Sequence, residues 1–305
     1  MKTDFTSRFA GFNKPGYFVK AQPDNDVEWY IGMDDDGNKC LKYRGVFEPA
    51  SVHSTKFVKV KQYVKEIKTI TFSLLDNNYC YQYYIFCEDM VESTIGIQNE
   101  QMRYDAIVSV FYKWMKMFQK TGSDILSEEK IRGLMAEIYF LKEYVIPTYG
   151  KHDAVQSWSG QELTHKDFSI RDTWYEIKSV LKGKPSVHIS SLEQLDSNVE
   201  GYLVVYYFEK MSTASNGQNL NELVKSVLDV LDSELDKDIF YEEVTKQGFS
   251  FDERYEEFKY IISNRNSYIV SGDFPRLTRS NIDVNIDKVE YSINLLGLEP
   301  YRSEL

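Results

Sequence analysis

The chain has 305 residues, enough to bury one large core or two moderate ones. It shows no signal-peptide pattern and no apolar run of about 18 residues, so we expect no membrane span and a cytoplasmic protein. The net charge of −11 has the wrong sign for a simple nucleic-acid-binding protein, and the three cysteines and four histidines lack zinc-type spacing.

Residues 1–97 are predicted to form a β-rich region. Two strand-like segments flank the acidic turn at residues 34–38, which predicts a hairpin. A second hairpin is predicted from residues 67–75 and 79–87, because the alternating aromatic side chains of the latter segment suit a half-buried strand.

A basic run lies between these two hairpins. Within it, Lys59 and Lys61 would share one face of a strand, with Val58 and Val60 turned towards the core. Contact with phosphate and an ordinary exposed strand explain this pattern equally well.

Residues 98–210 are predicted to hold a linking helix, at 106–118, and a compact core. A helix over 127–145 is indicated by Ser127 as an N-cap and by an apolar stripe at helical spacing. Glu137 lies at the edge of this stripe, with no basic residue three or four positions away. Its carboxylate therefore either reaches solvent or has a partner on another element.

Residues 164–178 are predicted to form two short strands joined by a tight turn at residues 171–172. With a two-residue loop, Asp167 lies opposite Glu176, and Lys178 shares the face of Glu176. Like charges at opposed positions destabilise a ladder unless a proton or a cation neutralises them. Two carboxylates beside an ammonium group are the chemistry of a Mg²⁺ site that cleaves phosphodiesters.

Two other interpretations of this hairpin stay open. An odd loop length would turn one strand over and separate the two acids. An ordinary exposed hairpin would leave all three charged side chains in solvent, where an ion pair adds little stability.

The order of the predicted elements is informative. After the helix that carries Glu137 come three strands, a short helix and an apolar strand, at residues 166–170, 173–180, 187–190, 191–195 and 202–208. Residues 211–305 are predicted to form an α+β extension packed on this core. Its main elements are a helix at 220–231 and strands at 260–270 and 288–296.

This arrangement resembles the PD-(D/E)XK nuclease superfamily, which has the restriction-endonuclease-like fold. It is most similar to the bacterial "PD-(D/E)XK motif protein" family of unknown function, which is found in phage-defence gene neighbourhoods. The stretches that carry the resemblance are Gly133-Leu134-Met135-Ala136-Glu137, Trp158-Ser159-Gly160, Lys166-Asp167-Phe168, Glu176-Ile177-Lys178-Ser179 and Ile189-Ser190-Ser191-Leu192-Glu193-Gln194-Leu195. The chain departs from the superfamily pattern at Lys166, where the pattern has proline.

The resemblance implies an α/β (α+β) fold: a mixed central sheet in αβββαβ order, flanked by helices and preceded by the β-rich region. It also implies that Asp167 and Glu176 bind Mg²⁺ or Mn²⁺, with the Ile177 carbonyl as a further ligand. Lys178 would orient the attacking water. Glu137 would bind a second metal ion or its water, and Gln194 would lie near the scissile phosphate.

Three functional interpretations follow. The first is a Mg²⁺-dependent endonuclease that acts on DNA in phage defence, alone, as a homodimer or with defence-system proteins. The second is a nuclease-fold binding or scaffold subunit with weak or no catalysis, which the acidic composition favours. The third is an unrelated α+β domain with coincidental residues, which carboxylates more than one metal coordination sphere apart would favour.

Overall fold

The computed structural model describes residues 5–22, 26–119, 125–158 and 166–305. The chain divides into two compact units, Met1–Thr121 and Gly122–Leu305. The division into three domains after residues 97 and 210 stays a prediction. Among the described helices, none is both long and apolar enough to cross a membrane.

The described strands of the first unit form an antiparallel sheet in the order β1-β2-β3-β5-β4. Their bounds are β1 Phe18–Lys20, β2 Trp29–Met33, β3 Lys39–Gly45, β4 Val58–Tyr63 and β5 Lys68–Leu74. One face packs into the core through Trp29, Leu41 and Phe72, which are all at most 1% exposed. The hairpin predicted around residues 34–38 is confirmed, because β2 pairs with β3 across it.

Three described helices complete this unit: α1 Phe5–Ala10, α2 Cys80–Glu92 and α3 Glu100–Gln119. The strand predicted at residues 79–87 is wrong, because this segment lies mostly in α2. The buried side chains of α2 recur at helical spacing, for example Tyr83, Phe86 and Met90. Asp76 accepts a hydrogen bond from the Asn78 amide and caps the helical turn that precedes α2, where a hairpin loop was predicted.

The described strands of the second unit form a mixed sheet in the order β12-β10-β9-β7-β6. Their bounds are β6 Phe168–Ile170, β7 Thr173–Leu181, β9 Gly201–Met211, β10 Lys259–Val270 and β12 Arg302–Ser303. The inner strands β7 and β9 run parallel, and the other pairs are antiparallel. The predicted α+β fold with a mixed sheet flanked by helices is therefore confirmed.

The third predicted strand, at residues 187–190, takes a different position from the one expected. It forms β8 (Ser186–Ile189) and pairs with β11 (Tyr291–Asn294) in a separate two-stranded sheet of the described chain. The Leu295 amide extends this pairing with a 2.8 Å hydrogen bond to the Pro185 carbonyl. A partner that lies about a hundred residues away could not be recognised from the local sequence pattern.

The described helices of this unit are α4 Glu128–Phe140, α5 Ile146–Tyr149, α6 Lys151–Ser157, α7 Leu220–Val230 and α8 Glu234–Lys246. The predicted N-cap is confirmed, since Ser127 Oγ accepts a hydrogen bond from the Lys130 amide. A π-helical turn, Leu141–Val145, follows α4. The helix packs against β7, so Glu137 is directed towards the hairpin of β6 and β7.

Candidate active site

The hairpin of β6 and β7 has the predicted two-residue loop. Ile170 pairs with Thr173 and Phe168 pairs with Tyr175, and continuing this register by one position beyond β6 brings Asp167 opposite Glu176. The Asp167 side chain is held by the backbone of the facing strand, because its Oδ2 accepts a 2.6 Å hydrogen bond from the Ile177 amide. The predicted pairing of Ile170 with Thr173 is confirmed.

Glu176 and Lys178 lie on the same face of β7 and contact each other. Lys178 Nζ lies 2.6 Å from Glu176 Oε1. Glu176 is 0% exposed, and among the described residues its Oε2 has no hydrogen-bond partner. A carboxylate oxygen buried without a partner is costly, because burial removes the water that would solvate it.

Glu137 is also buried, so the first of its two predicted alternatives, exposure to solvent, is wrong. Its Oε2 accepts hydrogen bonds from Trp158 Nε1 at 2.9 Å and from Gln247 Nε2 at 3.0 Å. Trp158 lies just after α6 and Gln247 just after α8, so three elements meet at this carboxylate. Sequence reasoning missed Gln247, which is 110 positions from its partner.

The charges at this site perturb one another. Burial and, after it, the Asp167 charge raise the pKa of Glu176 to about 8 against the opposing charge of Lys178. Burial, followed by the Asp167 charge, holds the pKa of Glu137 well above its ordinary value. Burial would lower the pKa of Lys178, but the charges of Glu176 and Asp167 outweigh that effect and raise it. The four side chains therefore form one electrostatic cluster, as is common at functional sites.

Lys166 fills the position where the superfamily pattern has proline, and it is only 4% exposed. Its ammonium group donates hydrogen bonds to the carbonyls of Glu193 and Asp196, the latter at 3.1 Å. It also lies 4.1 Å from the centre of the Trp174 ring. Burial lowers the pKa of Lys166 to about 8. Lys166 therefore ties the start of the hairpin to the segment that follows β8, a role that the sequence did not reveal.

Gln194 lies in a short 3₁₀-helix, Leu192–Gln194, where a short helix was predicted. Its Oε1 accepts hydrogen bonds from the amide and the hydroxyl of Ser190, at 2.9 and 3.1 Å. Within the described chain, no hydrogen bond or ion pair joins Gln194 to the charged cluster. Of the stretches that carry the resemblance, Ser159 and Gly160 lie outside the described residues.

A family described as "Putative PD-(D/E)XK family member, (DUF4420)" matches residues 15–296. The chain belongs to this family. No curated protein and no solved structure matches it. This family match, and not the spacing of the carboxylates, argues against an unrelated α+β domain with coincidental residues.

The carboxylates of this PD-(D/E)XK family member fit a divalent ion in part. In the ranges that the structure describes, no three His, Cys, Asp or Glu side chains lie close enough together to hold a metal ion. Mg²⁺, however, is commonly held by one or two carboxylates and several waters. Asp167 and Glu176 supply such a pair, and the partnerless Glu176 Oε2 is a hard oxygen ligand available to a cation. The donor set therefore suits a two-carboxylate site, with Glu137 at its margin.

Proposed function

We propose that this protein is a divalent-metal-dependent nuclease that hydrolyses phosphodiester bonds in DNA and acts in phage defence. The observation that supports the proposal most strongly is the fully buried Glu176 carboxylate, which has a partnerless oxygen and stands opposite Asp167 and beside Lys178. A structural ion pair would need only one acid and would be better satisfied. A cation-binding site accounts for both acids.

In this proposal Asp167 and Glu176 hold Mg²⁺ or Mn²⁺, with the Ile177 carbonyl as a further ligand. When bound, the ion polarises the phosphodiester and lowers the pKa of a nearby water. The hydrogen bond from the Ile177 amide holds the Asp167 side chain against the facing strand, beside Glu176. The backbone of β7 thus orients the first ligand and carries the second.

Lys178 offsets charge and orients water in the proposed reaction. Its raised pKa keeps the amine protonated at neutral pH, so it can stabilise the negative charge that develops on the phosphoryl oxygens. Glu137, held by Trp158 and Gln247, would orient water or a second ion from the opposite side. Gln194 would act as an accessory group near the phosphate. Its hydrogen bond with the Ser190 amide is compatible with this role.

The direct test is cleavage of supercoiled plasmid by the purified chain with Mg²⁺ or Mn²⁺. We expect nicked or linear products from the wild type. We expect a loss of at least about a hundredfold in Asp167→Asn, Glu176→Gln and Lys178→Met, because each removes a ligand or a charge at the reacting phosphate. EDTA should abolish cleavage.

The matched control is Asp172→Asn, which removes a carboxylate from the exposed loop of the same hairpin and should retain full activity. Thermal unfolding of each variant separates lost chemistry from lost folding. The absence of cleavage and of calorimetric metal binding by a folded wild type would contradict the proposal. That result would support a binding or scaffold subunit of a defence complex, which the net charge of −11 favours.

A role in defence is tested separately from the chemistry. Cells that express the wild type with its neighbouring genes should reduce phage plaque numbers, and cells that express Asp167→Asn should not. If cells that express Asp167→Asn are still protected, the nuclease activity is not needed for defence. Crosslinking of the same cells would reveal a homodimer or a defence-system partner.

A further inference from the structure

The sheet of the first unit has a second face that is polar and partly exposed. Directly paired residues share a face, and one row crosses all five strands of the described sheet: Lys20, Tyr30, Lys42, Thr71 and Lys61. The neighbouring rows on this face contribute Phe18 and Lys59 on one side and Arg44 and Tyr63 on the other. We refer to these nine residues as the basic sheet face.

Aromatic rings lie between the cations on the basic sheet face. Lys42 Nζ lies 3.2 Å from the centre of the Phe18 ring and 6.0 Å from that of Tyr30. The Arg44 guanidinium lies 5.9 Å from the Tyr30 ring. Tyr63, at the edge of the sheet, is 46% exposed. Alternating rings and cations can contact bases and phosphates along the same strand.

The centre of this face is a concavity of about 380 Å³. Its polar lining includes three hydroxyl residues, three basic residues and two acids: Thr69, Thr71, Ser73, Lys42, Arg44, Lys61, Asp34 and Asp35. A volume of this size is within the range of small-ligand sites. The three basic residues of the lining outnumber its two acids, which favours an anionic ligand that forms hydrogen bonds.

Most acids near the face have a partner within the first unit. Asp36 pairs with Lys59 at 2.8 Å, Glu28 pairs with Lys20 at 3.5 Å, and Asp34 accepts hydrogen bonds within its own turn. In the part of the chain that the structure describes, Lys42, Arg44 and Lys61 form no ion pair with a carboxylate. Burial lowers the pKa of Lys42, as expected for a cation that lacks a counter-ion.

The negative net charge of the whole chain is not shared equally by its two units. Residues 1–121 contain 16 lysines and arginines against 15 aspartates and glutamates, whereas residues 122–305 contain 20 against 32. The negative charge therefore belongs to the second unit. The first unit is almost neutral and places five of its cations on one sheet face.

We infer that the basic sheet face binds single-stranded nucleic acid, with phosphates on Lys42, Arg44 and Lys61 and bases against Tyr30 and Tyr63. A duplex presents phosphates but keeps its bases stacked inside, so it could not use the rings. An acidic peptide would pair with the cations but does not carry a planar base at every unit to meet half-buried Tyr30 and exposed Tyr63. The choice of nucleic acid as the ligand rests on the proposed function, whereas the location of the binding face does not.

The test is fluorescence anisotropy of the full chain with labelled 20-nucleotide oligo-dT, oligo-U and a 20-base-pair duplex, in EDTA so that no cleavage is involved. We expect binding of the single strands, and the comparison of dT with U distinguishes DNA from RNA. Lys42→Gln/Lys61→Gln should weaken binding by about tenfold or more. It should also lower the slope of log affinity against log salt by about 1.4, since each phosphate contact on a single strand contributes about 0.7.

The matched control is Lys39→Gln/Lys68→Gln. These two substitutions remove the same amount of positive charge from the same sheet. Lys39 and Lys68, however, lie on the other face of the sheet, where they contact Asn77 and Glu48 respectively. Affinity in this control should stay within about twofold of the wild type, because charges on the other face of the sheet are distant from the ligand and are screened at moderate salt. Equal losses in both pairs would overturn the inference, since they would reflect total charge alone.

Tyr63→Ala provides a second test at an exposed position that folding can tolerate. It should weaken single-strand binding by roughly fivefold or more and leave the salt slope unchanged, because it removes stacking and no phosphate contact. Equally tight duplex binding with the same dependence on Lys42 and Lys61 would overturn the single-strand assignment. If a chain that cleaves plasmid shows no oligonucleotide binding, the inference fails and the proposed nuclease function stands.

Discussion

Lys178 Nζ lies 2.6 Å from Glu176 Oε1, and the two side chains emerge from the same face of one strand, two residues apart. The contact joins a buried acid to a mostly buried cation, and each depends on the other for its charge. Neither could be charged alone in this environment without a large loss of solvation free energy.

The first prediction follows from this pair. At about pH 9, where Glu176 with its pKa of about 8 is ionised, Lys178→Met should destabilise the protein by about 3 kcal/mol, because it leaves the Glu176 carboxylate buried without its counter-charge. Glu176→Gln/Lys178→Met should recover most of this loss, since a neutral amide replaces the unpaired charge. Urea denaturation of both single variants and the double variant measures the interaction. Additive losses would show that the contact does not couple the two residues.

The second prediction concerns pH. The pKa of Glu176 is raised from 4.5 to about 8, so between these values the folded state holds a proton that the unfolded state has released. The stability from this group is full below pH 4.5, falls by up to about 1.4 kcal/mol per pH unit through this window, and is lost above about pH 8. Glu176→Gln should therefore flatten the dependence of the free energy of unfolding on pH.

Urea denaturation at intervals from about pH 5 to pH 8 tests this dependence. Glu137 contributes with the same sign, so part of the slope should remain in Glu176→Gln. Glu200→Gln, at an exposed position just before β9, is the control and should keep the slope of the wild type. A slope that is equally steep in Glu176→Gln would contradict the raised pKa.

The third prediction concerns the lysine at the proline position of the superfamily pattern. Lys166→Met removes the donor to the carbonyls of Glu193 and Asp196 and should destabilise the chain by about 3 kcal/mol. Hydrogen exchange of residues 192–196 should accelerate, because their anchor to the hairpin is lost. Lys184→Met, in the exposed loop after β7, should change neither quantity. Unchanged exchange in Lys166→Met would show that the segment is held by other contacts.

The fourth prediction contrasts two glycines. A methyl group at Gly201 would lie 2.1 Å from the Trp174 ring, and the Trp174 indole is fixed by a hydrogen bond to the Val199 carbonyl. Gly201→Ala should therefore cost about 3 kcal/mol through overpacking. Gly133→Ala should instead stabilise the protein by about 0.5–1 kcal/mol, because its position within α4 is open and alanine favours helix. Thermal denaturation of both variants measures the change in melting temperature. Changes of the same sign in the two variants would contradict this prediction.

Local patterns predicted the parts of the site that depend on neighbouring residues. The two-residue loop and strand alternation were sufficient to place Asp167 opposite Glu176, and a serine before two acidic residues marked the start of α4. The segment at 79–87 was mistaken for a strand because its aromatic residues also suit a helix face, and burial against the core decided between the two.

Long-range contacts were beyond the sequence. Gln247 reaches Glu137 from 110 positions away, Lys166 reaches carbonyls 27 and 30 positions away, and β8 pairs with a strand near the C-terminus. Each partner is an ordinary polar residue or strand in its own neighbourhood. Nothing in a local window distinguishes it from a solvent-exposed one.

The parallel pairing of β7 and β9 also orders the events of folding. Residues 182–200 connect these strands, so their pairing closes a much longer loop than the two-residue turn between β6 and β7. We expect the hairpin to form in the transition state and β9 to dock afterwards. Conservative substitutions at Phe168 should then slow folding, and those at Val204 should mainly speed unfolding. The two facing carboxylates would thus meet while still in water, before the sheet that buries them is complete.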